Sequence, residues 1–327
     1  MLRKTLLLFT TLAISTSAAA SEREGLRKLF EATGGALWLR GASGPQQWLS
    51  NESACTWYGI TCNAGGNVIE INLGFNNLSG SLPADLALDL PSLQVFYVDA
   101  NHIGGTVPDI SGLHNLSVFS VGYNLMTGML PSLSGLTRLQ SFSVAANQFS
   151  GPMPDLTALA ALLYFDISNN QIDGTIPPLT GLSVLATFDV AGNRLEGAIP
   201  ALLQSPHLQQ AVFSSNALSG SIPPLADLTE LSVFAASSNR LSGPIPALAT
   251  LTHLSYFNIG NNDLTGPVPE PPPNLRTGGA RLCPNLLDLT PSPSDAAWND
   301  ATGHSPWWNA PDGSCDVLFQ GRFEPVE

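Results

Sequence analysis

The chain has 327 residues, with 12 Lys and Arg against 25 Asp and Glu and a formal net charge of −13. That balance repels phosphate backbones and anionic lipid, which excludes nucleic-acid binding and leaves basic proteins, neutral glycans and cations as partners. No stretch approaches the roughly 18 apolar residues of a membrane helix, so no membrane insertion is expected.

The chain opens with Arg3 and Lys4, an apolar run from Leu6 to Ile14, and Ala18-Ala19-Ala20. That is the layout of a secretory signal peptide over residues 1–20. Its removal takes two bases and moves the formal charge from −13 to −15. The mature chain is expected to be secreted: extracellular, or periplasmic or at the cell surface if bacterial. Residues 21–67 read as an N-terminal cap. Ser21-Glu22-Arg23-Glu24 has the pattern of a capping box, opening a helix toward Ala32 with Leu26, Leu29 and Phe30 on its apolar side. The cluster of Trp38, Trp48 and Trp57 should seal the core behind it.

From residue 68 to 269 one frame recurs. Its asparagines are Asn76, Asn101, Asn124, Asn147, Asn170, Asn193, Asn216, Asn239 and Asn262, spaced by 25 residues once and by 23 thereafter. Leu185-Ala-Thr-Phe188-Asp-Val190-Ala-Gly-Asn193-Arg-Leu195 shows the pattern, which is the signature of a leucine-rich-repeat solenoid. Positions −5 and −3 from the asparagine are apolar, so each repeat contributes a short strand with one buried face. The strands should stack as a parallel concave sheet on a curved rod of nine coils. The asparagine turns inward, where its amide can serve backbone groups that would otherwise be buried unpaired, at about 1–3 kcal/mol each.

The −5 column reads Ile71, Phe96, Phe119, Phe142, Phe165, Phe188, Ala211, Phe234 and Phe257. Where Ala211 leaves a gap, Phe213 at −3 is large and Ala236 in the next coil is small, as close packing requires. After each asparagine, segments such as Leu241-Ser242-Gly243-Pro244-Ile245-Pro246 bring glycine and proline, so the convex side should be mostly non-helical. The architecture is therefore an α/β-type repeat solenoid with a helical N-terminal cap and a loop-rich C-terminal cap.

Regularity ends at Pro269. Residues 270–315 read as the C-terminal cap, with Trp298, Trp307 and Trp308 as filler, and 316–327 as an acidic tail. The four cysteines lie outside the repeats and allow three pairings. An exported chain meets oxidising conditions and each pair flanks one end of the repeats, so Cys55–Cys62 and Cys283–Cys315 are expected. Free or zinc-binding thiols are the alternative, without a C-x-x-C pair to support them.

The Leu-Ser-Gly-x-Ile-Pro element, with the entry segment Trp48-Leu49-Ser50 and Cys55-Thr-Trp57-Tyr58-Gly59-Ile60-Thr61-Cys62, resembles the plant-specific class of leucine-rich repeats. The resemblance covers residues 21 to about 283. It implies a recognition solenoid like those of receptor ectodomains and of polygalacturonase inhibitors. The chain departs from that class in its 23-residue period and single cysteine pair per cap. Its compact signal peptide and its ending look more like an exported bacterial relative.

Ligands of such solenoids meet the concave sheet, whose outward positions are −6, −4, −2 and −1. Most are small here. Phe75, Tyr97, Asp99 and Tyr123 stand out near the N-terminal end, and Tyr164, Asp166, Asp189, Tyr256 and Asn258 further on. Tyrosine offers rigid amphipathic area at low entropic cost. Asp166 and Asp189 share the −4 column on adjacent coils, about 5 Å apart. That spacing suits the carboxylates of a retaining glycosidase, or a weak calcium site. An open sheet offers no water-excluding pocket, however, and His207 and His253 stand two coils apart. No catalytic residues, metal or cofactor are expected. The reading is a monomeric, non-enzymatic recognition module that binds a protein. Binding of cell-wall polysaccharide or exopolysaccharide, with tyrosines stacked on sugars, is the alternative, as is inhibition of a secreted hydrolase. The sequons at Asn51, Asn77 and Asn115 would matter only in a eukaryotic secretory pathway.

Overall fold

The computed structural model describes residues 21–308, and the chain divides into two compact units, Met1–Ser150 and Gly151–Glu327. The expected signal peptide (1–20), Cys315 and the acidic tail (316–327) lie outside the described residues.

In the first unit, residues 21–32 are helical and bury Leu26 and Leu29. Ser21 already lies within the helix rather than capping it, so the expected capping box is not centred there, and the Glu24 carboxylate meets the Arg27 guanidinium one turn on. Buried Glu22 instead accepts the backbone N–H of Val68 at 2.9 Å, tying the helix to the first repeat. Phe30 meets Trp38 edge-on at 5.0 Å, and Trp48 lies 4.9 Å from Trp38 and 5.5 Å from Trp57. Each indole N–H of the cluster finds an acceptor: the Thr33 carbonyl, the Tyr58 carbonyl and the Ser50 hydroxyl. That satisfaction is what lets three tryptophans fill a cap without an unpaired donor. The Cys55–Cys62 disulfide is present, with a 2.02 Å S–S bond.

The strand Ile60–Cys62 runs antiparallel to Val68–Asn72, which starts a parallel ladder through Val95–Tyr97, Val118–Ser120 and Ser141–Ser143. The second unit repeats the ladder with Tyr164–Asp166, Thr187–Asp189, Gln210–Val212, Val233–Ala235, Tyr256–Asn258 and Ala280–Arg281. Within each unit the parallel rungs pair the −5 residue with the −5 residue of the next coil, so the inward face of that unit is one column. The segments after the asparagines are extended and form a second ladder, Glu196–Gly197 through Leu286–Leu287 in the second unit. Only Leu86–Asp89 makes a helical turn among the described repeats.

The phenylalanines stack as the column implies. Phe96, Phe119 and Phe142 lie 5.7 Å apart ring to ring in the first unit, and Phe165 and Phe188 5.5 Å apart in the second. Phe213 fills the gap at Ala211, 5.9 Å from Phe188 and 6.1 Å from Phe234.

Inside each coil the asparagine completes the backbone. Asn193 Oδ1 accepts from the N–H of Ile172, while its Nδ2 donates to the carbonyls of Ile167, Val190 and Ala191. Asn124 does the same in the first unit with Ile103, Val98, Val121 and Gly122. The ladder runs one step past the nine asparagines that the periodicity marks. Asn285, 23 residues beyond Asn262, accepts from Leu264 N–H and donates to the carbonyls of Ile259 and Leu282. A further turn therefore follows Pro269, where the sequence places the cap. Its leucine pattern is broken by Glu270-Pro-Pro-Pro273, and its −5 residue, Ala280, is small. Trp298, on the helix Asp295–Thr302, ends the stack 6.4 Å from Phe257 and donates to the Pro269 carbonyl. Cys283 is disulfide-bonded in this turn.

The residue before each of the nine periodic asparagines has a left-handed backbone: φ is 54° at Phe75, Ala100 and Tyr123, 55° at Asn169, 59° at Ser215, and 65° at Gly192. For an L-residue this costs about 1–2 kcal/mol. Glycine escapes that cost but loses about 0.4–1 kcal/mol through its freer unfolded chain. Ala100→Gly is accordingly expected to stabilise the first unit by up to about 1 kcal/mol, read as a rise in denaturation midpoint. A fall would mean the left-handed turn is unstrained.

Candidate functional site

The open face of the sheet carries the −6, −4, −2 and −1 side chains. In the first unit, Phe75 and Tyr123 are 65 % and 66 % exposed, although both occupy the left-handed −1 position. Between them in sequence, Tyr97 lies flat on the chain at Gly74, where an added Cβ would come 2.3 Å from the ring. Burial, with Asp99 as the second cause, pushes the Tyr97 hydroxyl above its ordinary 10.0, so it stays a hydrogen-bond donor. Asp99 is committed to the scaffold. Its oxygens take the Ser120 hydroxyl at 2.7 and 2.8 Å and the Gly122 N–H at 2.7 Å. Asp99 thus ties the Ser120 hydroxyl and the Gly122 N–H of the next coil to its own coil.

In the second unit, Asp166 and Asp189 are register neighbours on adjacent strands, as are Tyr164 and Thr187. Tyr164, 38 % exposed, donates its hydroxyl to Asp166 Oδ2 at 2.9 Å, and Ser168 N–H donates to Oδ1. Asp189 takes the Ala191 N–H at 3.0 Å, and Val212 is its register neighbour on the other side. Burial pushes the Asp189 carboxyl up to about 6; the Ala191 N–H partly opposes this, and the Asp166 charge adds to it. Tyr256 is also 38 % exposed and accepts from the Asn258 amide at 3.2 Å. Tyrosine and a polar residue two positions on therefore brace each other in both coils.

The raised Asp189 pKa has a stability consequence. Between 3.8 and about 6 the folded state holds a proton that the unfolded chain has released. This group's contribution is therefore most favourable below 3.8 and is lost as pH rises through 6. The displacement corresponds to up to about 3 kcal/mol, reduced to about 1–2 kcal/mol because the carboxyl keeps some solvent contact. Asp189→Asn is expected to raise the melting temperature at pH 7.5 and leave it unchanged near pH 3.5. Equal shifts at both pH values would remove the burial of the charged carboxylate from the account.

The histidines do not converge. His207 Nδ1 meets Glu230 Oε1 at 2.8 Å, and His253 Nδ1 meets the Thr229 carbonyl at 2.8 Å. Among the described residues no group of three or more His, Cys, Asp or Glu could hold a metal ion. No described helix is long and apolar enough to cross a membrane.

Two cavities open on the sheet face. One, of about 600 Å³, lies against the N-terminal cap and is lined by Arg40, Tyr58, Glu70, Asn72, Phe75 and Tyr97. The other, of about 390 Å³, lies at the far end of the second unit and includes Asn258, Arg281, His304 and Trp307. The cap's share of the first cavity was not visible in the sequence, because Arg40 and Tyr58 follow no repeat.

The family described as Leucine Rich Repeat matches residues 161–182. Receptor-like protein kinase 7 of Arabidopsis thaliana is 39% identical over 54 residues, which is 16% of this chain and 6% of that protein. Among solved structures, the plant peptide hormone receptor RGFR1, in complex with RGF2, superposes with a TM-score of 0.63 at 29% identity. That superposition covers 67% of this chain and 36% of the receptor's. A plant ice-binding protein superposes at 0.67, covering 86% of this chain and 93% of that one, but at 20% identity it shows the fold alone. The chain spans well under half the length of these receptors. All three are plant proteins, and they lend no support to the bacterial origin suggested by the chain's ends.

Proposed function

We propose that this leucine-rich-repeat solenoid is an exported, non-enzymatic recognition module whose open sheet face holds a protein partner. The observation that carries the reading is the pair Phe75 and Tyr123. Most other coils put Ala, Ser, Asn or Gly at that left-handed position. Two large aromatic side chains are kept there at a backbone cost, and neither is buried. Folding gains little from them, so they fit the role of anchors that a partner covers. Tyr97, clamped on Gly74, supplies a rigid floor with a protonated hydroxyl. The solved complex of RGFR1 with RGF2 supports the reading, since that relative holds a peptide hormone.

A Phe75/Tyr97/Tyr123 triple alanine variant tests the reading. In a cross-linking pull-down beside wild type it is expected to lose the partner while keeping its melting temperature. Retention of the partner by the triple variant would remove the site. Binding to a glycan array, lost on Tyr97→Ala, would replace the protein partner by a polysaccharide.

A further inference from the structure

The cavity beside the N-terminal cap brings together groups that no single repeat contains. Arg40 is held from both sides. Its backbone N–H donates to Asn76 Oδ1 at 2.6 Å, and its carbonyl accepts from Asn76 Nδ2 at 3.0 Å. Its guanidinium donates to the Tyr58 hydroxyl at 2.7 Å and stands 5.7 Å from that ring's centre. Among the described residues, no carboxylate lies within ion-pair distance of it, although the chain is strongly acidic. Most of the five N–H donors of an arginine therefore remain for a ligand, on a side chain already fixed in place. The exposed ring of Phe75 and the clamped ring of Tyr97 line the same cavity, and Glu70 is its acidic member.

We propose that this cavity is the anchoring pocket for an acidic residue of the partner set beside an apolar one. The carboxylate meets the Arg40 guanidinium, and the apolar body lies on Phe75 and Tyr97. A carboxylate matches the arginine fork with two parallel hydrogen bonds. A doubly charged phosphate would be opposed more strongly by Glu70, and a basic residue would be repelled by Arg40 itself. This assignment rests on the reading that the sheet face of the first unit holds a protein partner. It adds the chemistry of the residue that enters first.

The test selects phage-displayed random peptides on the immobilised full chain and measures the enriched peptides by titration calorimetry. Asp or Glu next to an aromatic residue or Leu is expected to dominate the selected set. Arg40→Gln should weaken those peptides roughly ten- to hundredfold, the worth of a hydrogen bond to a charged group. Its melting temperature should be unchanged, because Asn76 holds the main chain there. Gly74→Ala should weaken them as well, by pushing the Tyr97 ring off its floor. Peptides that need Phe75, Tyr97 and Tyr123 but show no acidic preference, or survive Arg40→Gln unchanged, would overturn the pocket and leave the recognition reading standing. Peptides indifferent to the triple alanine variant, or no enrichment at all, would overturn both.

Discussion

Asn193→Ala is expected to destabilise the second unit by about 2–3 kcal/mol. The substitution removes one acceptor and one donor group shared among three carbonyls. Ile172 N–H loses its partner, whereas the carbonyls of Ile167, Val190 and Ala191 lose one bond each and keep the Asn170 amide, the Asn216 amide and the Asn169 N–H. The orphaned donor costs about 1–3 kcal/mol, and methyl-sized alanine leaves no polar atom to replace the amide. The weakened carbonyls add to that loss without being left unpaired. Asn193→Asp is the informative companion. It keeps an acceptor for Ile172 but aims a carboxylate at three carbonyls, so it should be no better than alanine at neutral pH. Amide hydrogen exchange locates the effect: protection should fall first around residues 167–195, because a solenoid's coils lean on their nearest neighbours. Uniform loss across the second unit, or a change below about 1 kcal/mol, would mean these amides are not what completes the coil.

The second large effect is at the exchanged pair in the phenylalanine column. Phe213→Ala should cost about 3–5 kcal/mol, because it opens a cavity between Phe188 and Phe234. Ala211→Phe alone should cost about 1–3 kcal/mol by overpacking against Phe213. Ala236→Phe should do the same from the next coil, since Ala236 is fully buried. The double variant Ala211→Phe with Phe213→Ala restores the regular column and should recover most of the loss. Urea denaturation of the four chains decides it. A double variant no more stable than Phe213→Ala would show that the two positions do not share one volume.

The repeat lattice was legible because it is periodic. A 23-residue spacing with apolar −5 and −3 positions forces strands into register, and the phenylalanine stack follows from that register. The turn at Asn285 was hidden by the same logic. Its proline-rich approach and small Ala280 carry no leucine pattern, yet the amide finds the same three kinds of partner as its predecessors. The capping box does not hold because Ser21 already lies within the helix, leaving Glu24 to bond Arg27 one turn on. On the sheet face, residue type identified which side chains stand out but not what they touch. Asp99 has the residue type of a ligand group and is held by Ser120 and Gly122, whereas Arg40 follows no repeat and faces the cavity beside the N-terminal cap.

By itself, then, the sequence determined the coil, its inward columns and the list of side chains turned outward, because those depend only on spacing along one chain. The tertiary structure decided which outward groups are free. That depends on atoms far apart in sequence, such as the Arg40 N–H and the Asn76 amide 36 residues later. It also decided the left-handed turn before the nine periodic asparagines, a backbone state that Phe75 and Tyr123 do not choose on their own and that the stacked coils impose on them.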